Sequence, residues 1–314
     1  MHSPSDSEAL SPSSDCTEVL LSPSIDPSVT QQESYYKALI LSKVVKAIFC
    51  ATPLSRVKMP TGKSPFKSHI RTKDIRIKTT SGESLGAWIV YNKKVPITRW
   101  VLVLHGNSTN RYTFSTLYDA ERLIEHGTAA LIVDYRGFGD SEGTASRKAF
   151  IEDVAACTKY LYKKKVTNIS IVAYSLGTAI ALDYLAKYYI KKKDHQVVIA
   201  KVVLISPFLS TIQLLQEYRL WNMIESLIPD SSKYAQDALG FNSLESIKQL
   251  DLPILIIHGS SDWLIPEHHG RLLSEAGQST LFLRIENESH SSLFGNPITW
   301  PSILQFLLDP NPST

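Results

Sequence analysis

Three polar side chains, Ser175, Asp262 and His290, could together carry out nucleophilic catalysis in this 314-residue chain. Ser175 stands in Ala-Tyr-Ser-Leu-Gly, between an apolar run over 169–174 and a helical segment that begins near Leu176. Such a tight strand-to-helix turn strains the serine backbone and aims its hydroxyl outward. The stretch therefore predicts a nucleophile, and a plain helix N-cap by the serine hydroxyl is the alternative interpretation.

Asp262 and His290 each follow a later apolar run, in LPILIIHGSSDWLIP and LFLRIENESHSSLF. A histidine can take the proton of a serine hydroxyl, and an aspartate can fix its tautomer and stabilise the imidazolium. The chain order serine, aspartate, histidine is one of the few in which this chemistry occurs. We therefore predict Ser175 as nucleophile, Asp262 as orienting acid and His290 as base; a turn aspartate and a solvated loop histidine are the alternatives.

Two backbone amides are predicted to form an oxyanion hole. Asn107, in VLVLHGNSTN, lies in a loop after a buried run, where amides can point back across the nucleophile. Leu176 directly follows Ser175, at a helix N-terminus that adds positive potential. His105 is predicted to shape the first loop by hydrogen bonding rather than to act as the base.

The surrounding pattern predicts the sheet that would position these groups. Period-two alternation over 69–92, broken at Ser81-Gly82, is typical of an antiparallel pair with one solvent-exposed face. Short runs that are apolar on both faces then alternate with helical stretches, which favours parallel strands between helical layers. These runs are WVLVLHG, AALIVDYRGFG, ISIVAYSLG, KVVLISP, LPILIIHG and TLFLRIEN. The predicted fold class is α/β, with a mostly parallel doubly wound sheet whose functional groups gather at the carboxyl ends of the strands.

The chain divides into three predicted regions. Residues 1–33 are rich in Ser, Pro and Asp and are predicted to be a disordered tail. Residues 34–65 contain an amphipathic helix near 36–50 and a linker, and the helix is expected either to dock on the domain or to lie on a membrane surface. Residues 66–310 form the folded domain, with a cap insert at about 208–250.

The cap insert carries apolar residues at helical spacing, among them Leu214, Tyr218 and Trp221. We predict that these three side chains line a pocket for an apolar substrate. Packing of the insert onto the domain is the alternative explanation of the same pattern.

Composition excludes several classes of function. Lys and Arg number 33 against 30 Asp and Glu, a balance that does not suit nucleic-acid binding. Three scattered cysteines, and histidines without a metal-type spacing, predict neither a disulfide framework nor a metal site, and no cofactor is expected. Without a long apolar run or an N-terminal signal pattern, we expect a cytoplasmic protein, with peripheral attachment to an intracellular membrane such as the endoplasmic reticulum as the alternative.

Residues 66–308 resemble an α/β-hydrolase domain, most similar to the monoacylglycerol and lysophosphatidylserine lipases of that superfamily. The resemblance rests on VDYRGFGDSEGTASRKAFIEDV, YSLGTAIA and HGSSDWLIP. It implies the same three roles for Ser175, Asp262 and His290. Those lipases usually carry glycine at Ala173 and histidine at Tyr174.

The resemblance implies a serine hydrolase that cleaves a carboxylic ester of a lipid, a monoacylglycerol or a lysophospholipid, through an acyl-enzyme and without a cofactor. A depalmitoylating thioesterase or a peptidase of the same fold is one alternative, and a catalytically silent lipid- or partner-binding protein is another. Asp134, Arg136 and Asp140 in DYRGFGD are expected to build the wall of the site and to cap the following helix.

Overall fold

A single mixed sheet organises the computed structural model, which describes residues 65–107, 109–117, 121–191, 197–218, 222, 225–226 and 240–310. Its spatial order is β1-β2-β4-β3-β5-β6-β7-β8. The strands are β1 Ile70–Lys78, β2 Ser84–Asn92, β3 Arg99–Leu104, β4 Thr128–Val133, β5 Asn168–Tyr174, β6 Val198–Ile205, β7 Ile254–Gly259 and β8 Thr280–Ile285. The predicted tail and the predicted helix near 36–50 lie outside the described residues.

Strand directions agree with the sequence pattern. β1 pairs antiparallel with β2, and β2 pairs antiparallel with β4. From β4 across to β8 every pairing is parallel. The predicted antiparallel opening and the parallel sheet that follows are therefore confirmed.

Helices cover both faces of the sheet. They are α1 Arg111–Leu117, α2 Glu121–Ile124, α3 Arg147–Lys163, α4 Leu176–Tyr184, α5 Thr211–Glu217, α6 Ser243–Ile247, α7 His268–Ala276 and α8 Thr299–Leu308, with a π-helical turn at Leu185–Tyr189 and a 3₁₀ turn at Ser292–Gly295. Among the described residues, none of the helices combines the length and the apolar character needed to span a bilayer.

Two apolar cores lie on opposite faces of the sheet because successive side chains of a strand alternate in direction. In β3, Leu102 and Leu104 pack into one core, whereas Val101 and Val103 pack into the other. The central strands are buried on both faces, which explains why their sequences are continuous apolar runs. This is the doubly wound architecture that the pattern predicts.

The expectation that the first two strands, β1 and β2, have one solvent-exposed face is wrong for β2. Its residues are buried almost throughout, while β1 is largely exposed. β2 is an interior strand with a neighbour on each edge, and its side chains reach both cores, with Leu85 in one and Val90 in the other.

The proposed cap insert is described mainly at its two ends. α5 begins after Ser210, whose hydroxyl accepts from the Gln213 N–H at 3.1 Å. A bridge between Ser210 and Asn242 closes the base of the insert. The two ends of the insert are thus joined to each other shortly after the end of β6.

Candidate active site

Ser175 occupies a strained turn between β5 and α4. Its backbone has φ 52° and ψ −118°, a left-handed conformation that is costly for a residue with a Cβ. The hydroxyl makes no capping bond to the helix, so the N-cap interpretation is wrong. A Cβ on Gly177 would collide with the carbonyl oxygen of Leu104, so glycine is required where α4 meets the end of β3.

Ala173 is accommodated in the strand before this turn. Its side chain is fully buried, and its backbone neighbours are Leu104 on β3 and Leu204 on β6. The methyl group packs into the core on one face of the sheet. The turn therefore forms without the glycine that the similar lipases usually carry here.

The structure brings Ser175, His290 and Asp262 into one hydrogen-bonded line. Ser175 Oγ lies 3.0 Å from His290 Nε2, and His290 Nδ1 lies 2.7 Å from Asp262 Oδ2. We assign the imidazole proton to Nδ1 because that nitrogen faces the carboxylate. The hydroxyl of Ser175 then donates to Nε2, which is the starting geometry for moving its proton onto the imidazole.

Asp262 is held as a carboxylate by the groups around it. Burial alone would raise its pKa, but hydrogen bonds from His258 and His290, the charge of His290 and the Ile265 N–H together lower the pKa well below its usual range. Its Oδ1 accepts the N–H groups of Leu264 and Ile265 at 3.0 and 2.8 Å. Asp262 is therefore fixed in orientation and charged.

His258 lies next to Asp262 and is not among the predicted site residues. It is fully buried at the end of β7, with Nε2 2.9 Å from the Ile265 carbonyl oxygen and 3.4 Å from Asp262 Oδ2. Its position four residues before Asp262, at the end of the same strand, is the signal that could have indicated this contact.

One predicted oxyanion donor follows a residue that packs against Ser175, and the other directly follows Ser175 in the chain. A Cβ added to Gly106 would be 3.2 Å from the Ser175 Cβ, so the backbone that leads into Asn107 passes against the serine. Leu176 is the first residue of α4, and its N–H therefore has no acceptor within the helix. Their role as donors to an oxyanion stays a prediction.

His105 shapes this loop, as expected. Its Nδ1 lies 2.8 Å from the Gly106 carbonyl oxygen, which also accepts from the Thr109 hydroxyl at 2.8 Å. The ring is buried and packs against Tyr135 at 4.5 Å between ring centroids.

The predicted pocket residues occupy different environments. Leu214 is buried in the core, whereas Tyr218 is half-buried and donates its hydroxyl proton to the Leu264 carbonyl oxygen at 2.6 Å. Trp221 lies outside the described residues. Tyr218 thus ties the cap insert to the loop that carries Asp262, and a role of these side chains in substrate binding stays a prediction.

The DYRGFGD loop is held in place by ion pairs with Arg111 and Asp153. Arg111 donates to Asp134 and Asp140, and Arg136 Nε donates to Asp153 at 2.7 Å. The expectation that this loop caps the following helix is wrong, because Ser146 is the N-cap of α3. The loop is instead fixed by buried ion pairs to α1 and α3.

One group of side chains near the cap insert has ligand atoms close enough together to hold a metal ion: Glu217, His268 and His269. Glu217 Oε1 lies 2.9 Å from Nε2 of each histidine. The Leu209 N–H donates to His269 Nδ1 at 3.2 Å, so the proton of the neutral ring sits on Nε2. Because that nitrogen carries the proton, it offers no lone pair to a metal.

Comparisons with known proteins agree with this fold. A family model described as serine aminopeptidase, S33, matches residues 96–243, a segment that contains Ser175 but ends before Asp262. The chain is 29% identical over 185 residues to Protein ABHD12B of Homo sapiens, and this alignment covers 57% of this chain and 50% of that protein. It is 26% identical over 187 residues to the lysophosphatidylserine lipase ABHD12 of Danio rerio, and this alignment covers 57% of this chain and 47% of that protein.

The chain therefore spans about half the length of these two relatives. Among solved structures, the Pyrococcus furiosus esterase Pf2001 aligns with a TM-score of 0.62 at 20% identity, covering 82% of this chain and 98% of that one. Together with the doubly wound sheet, this structural match shows that the chain has the α/β-hydrolase fold.

Proposed function

We propose that the protein is a serine hydrolase that cleaves a carboxylic ester of a lipid, a monoacylglycerol or a lysophospholipid. The observation that carries the proposed chemistry is the hydrogen-bonded line from Ser175 Oγ through His290 to Asp262. A strained nucleophile, an imidazole within hydrogen-bond reach and an ionised carboxylate are the parts that acyl transfer to serine needs.

In the proposed mechanism, Ser175 Oγ attacks the ester carbonyl carbon while its proton moves to His290 Nε2. The carbonyl oxygen becomes an oxyanion and accepts hydrogen bonds from the N–H groups of Asn107 and Leu176. His290 then gives its proton to the departing alcohol, which leaves an acyl-Ser175 ester. Water, deprotonated by His290, attacks this ester, releases the fatty acid and restores the serine hydroxyl.

The carboxylate of Asp262 stays charged while the imidazole gains and loses a proton. Because hydrogen bonds hold its pKa well below the usual range, it stabilises the imidazolium without taking the proton itself. The backbone N–H groups of Leu264 and Ile265 fix the other carboxylate oxygen. The positive charge that develops on His290 therefore meets a preorganised negative one.

The lipid substrate is proposed from two kinds of support. A relative named lysophosphatidylserine lipase aligns over 57% of this chain, and the sequence of the cap insert is rich in apolar residues. The description of the matched family as an aminopeptidase supports a peptidase as the second candidate. Both candidates use the same three side chains and differ in the leaving group.

Substrate profiling of wild-type protein and Ser175→Ala tests the proposal. We expect hydrolysis of long-chain monoacylglycerol and lysophospholipid esters, and a fall in kcat of several orders of magnitude in Ser175→Ala. Ser302→Ala, on α8 and outside the hydrogen-bonded line, is the matched control that keeps the activity. Faster turnover of aminoacyl amides than of esters would favour the peptidase, and wild-type rates in Ser175→Ala would refute the mechanism.

A further inference from the structure

Tyr174 contacts the proposed base directly. It is buried at the end of β5, next to Ser175, and its ring lies 5.1 Å from the His290 ring between centroids, at an angle of 36°. Its hydroxyl donates to the backbone carbonyl oxygen of His290 at 3.3 Å. One side chain thus holds both the ring and the main chain of a residue 116 positions away in sequence.

The same ring also touches two other parts of the site. It packs edge-on against Phe294, in the 3₁₀ turn that follows the His290 loop, at 5.1 Å and 79°. A Cβ added to Gly106 would also lie 3.0 Å from its Cδ1 atom. Tyr174 therefore packs against both the loop that carries the base and the loop that leads to Asn107.

His290 needs such support because it lies in a loop. Its Nδ1 meets Asp262 and its Nε2 meets Ser175, but hydrogen bonds at these two atoms still allow the ring to tilt about the line that joins them and the loop to shift. The Tyr174 ring limits the tilt, and the Tyr174 hydroxyl fixes the main chain. Since Tyr174 is covalently next to Ser175, the base is positioned relative to the nucleophile itself.

We propose that Tyr174 is a positioning residue that sets the His290 ring for proton transfer from Ser175. The proposal rests on the serine hydrolase function proposed above, and it concerns the rate of acylation rather than substrate binding. Tyrosine occupies the position at which the similar lipases usually carry histidine, so in this chain the role belongs to a phenol ring and its hydroxyl.

Two variants of Tyr174 separate the hydroxyl from the ring. In Tyr174→Phe we expect kcat, and the rate of labelling by a fluorophosphonate probe, to fall about tenfold with KM unchanged, because one hydrogen bond that orients the base is lost. In Tyr174→Leu we expect a fall of about a hundredfold or more, because the ring no longer limits the tilt of His290.

Tyr184→Phe is the matched control. Tyr184 is equally buried, and its hydroxyl contacts the Thr158 hydroxyl at 3.2 Å between α4 and α3, so the variant removes the same group away from His290. We expect it to keep the wild-type kcat and labelling rate. Circular dichroism and thermal unfolding of each variant show whether its fold is retained.

The outcomes distinguish this inference from the proposed function. Folded Tyr174→Phe and Tyr174→Leu with wild-type kcat and labelling rates would overturn the positioning role while the function stands. A rise in KM at constant kcat would overturn it as well. If Tyr174→Leu does not fold, the isosteric Tyr174→Phe decides; if wild-type protein is neither labelled nor active, the proposed function fails and this inference falls with it.

Discussion

At the scale of single residues, the site is defined by which atoms face one another. Asp262 receives hydrogen bonds on both oxygens, from His290 on one side and from two backbone N–H groups on the other. This arrangement lowers the pKa of Asp262 and leaves one orientation for the imidazole. The carboxylate is therefore charged at neutral pH.

We expect Asp262→Asn to keep the fold and to lower kcat by about three to four orders of magnitude. An amide can donate to His290 Nδ1 and so stabilises the tautomer in which Nε2 carries the proton and cannot accept one from Ser175. Steady-state kinetics with a soluble p-nitrophenyl ester measure the effect. A loss of less than tenfold would mean that His290 does not depend on this carboxylate.

At the scale of secondary-structure elements, the strand-to-helix turn at Ser175 depends on the approach of α4 to β3. Gly177→Ala places a methyl group against the Leu104 carbonyl oxygen, so the helix must shift. We expect an unfolding free energy lower by about 1 to 3 kcal/mol and a loss of activity, since overpacking displaces the turn. Denaturant unfolding and ester hydrolysis measure the two effects.

Gly295→Ala is the control for that substitution. Nothing lies within 4 Å of a Cβ built on Gly295, so the same chemical change is made in open space. Stability and activity close to wild type are expected for this variant. Equal losses in Gly177→Ala and Gly295→Ala would contradict the steric explanation.

The contact between α5 and α7 makes stability depend on pH. Burial lowers the pKa of His269 to about 4, against the attraction of Glu217, so the folded protein holds this ring neutral. The unfolded chain protonates the same ring near its ordinary pKa. Between these two pKa values the unfolded state binds more protons than the folded state. The stabilisation that comes from keeping this ring neutral is therefore complete above the ordinary pKa and is lost as the pH falls towards about 4.

We expect His269→Gln to flatten this dependence. The variant lacks the titrating ring, so its unfolding free energy should change less between about pH 7 and about pH 4.5, by at most about 2 to 3 kcal/mol. Urea unfolding at the two pH values measures the difference, with the exposed His126 replaced by Gln as the control. Parallel wild-type and His269→Gln curves would exclude the ring as the cause.

At the scale of the whole molecule, the sequence predicts the sheet well because burial leaves a local pattern. Each parallel strand is a continuous apolar run, and the polar residues that follow β5, β7 and β8 include Ser175, Asp262 and His290. Parallel strands place their carboxyl ends at one edge, so the proximity of these side chains follows from topology.

Other features leave no local pattern and could not be predicted. Tyr174 contacts His290, which is 116 residues away in sequence. Arg111 contacts Asp134 and Asp140, which are also distant in sequence. The apolar spacing around Leu214 is the same for a core residue as for a pocket residue, and the structure buries Leu214. β2 is buried on both faces because other elements pack against it. The alternation of residues within β2 itself does not reveal this burial.

The amphipathic segment near 36–50 leads to a prediction for the whole chain. We propose that it contacts a membrane surface peripherally, which would bring the domain to a lipid ester. A variant lacking residues 1–50 should lose co-sedimentation with phosphatidylcholine–phosphatidylserine vesicles and retain hydrolysis of a soluble ester. Unchanged vesicle binding by the shortened chain would refute this role.

The most direct test of the central claim is to map the site of covalent modification by mass spectrometry after reaction with a fluorophosphonate. We expect one phosphonylated residue, Ser175, and no adduct when the protein carries His290→Ala. Folded wild-type protein that gains no adduct, or an adduct on a serine other than Ser175, would contradict the role of Ser175 as the nucleophile.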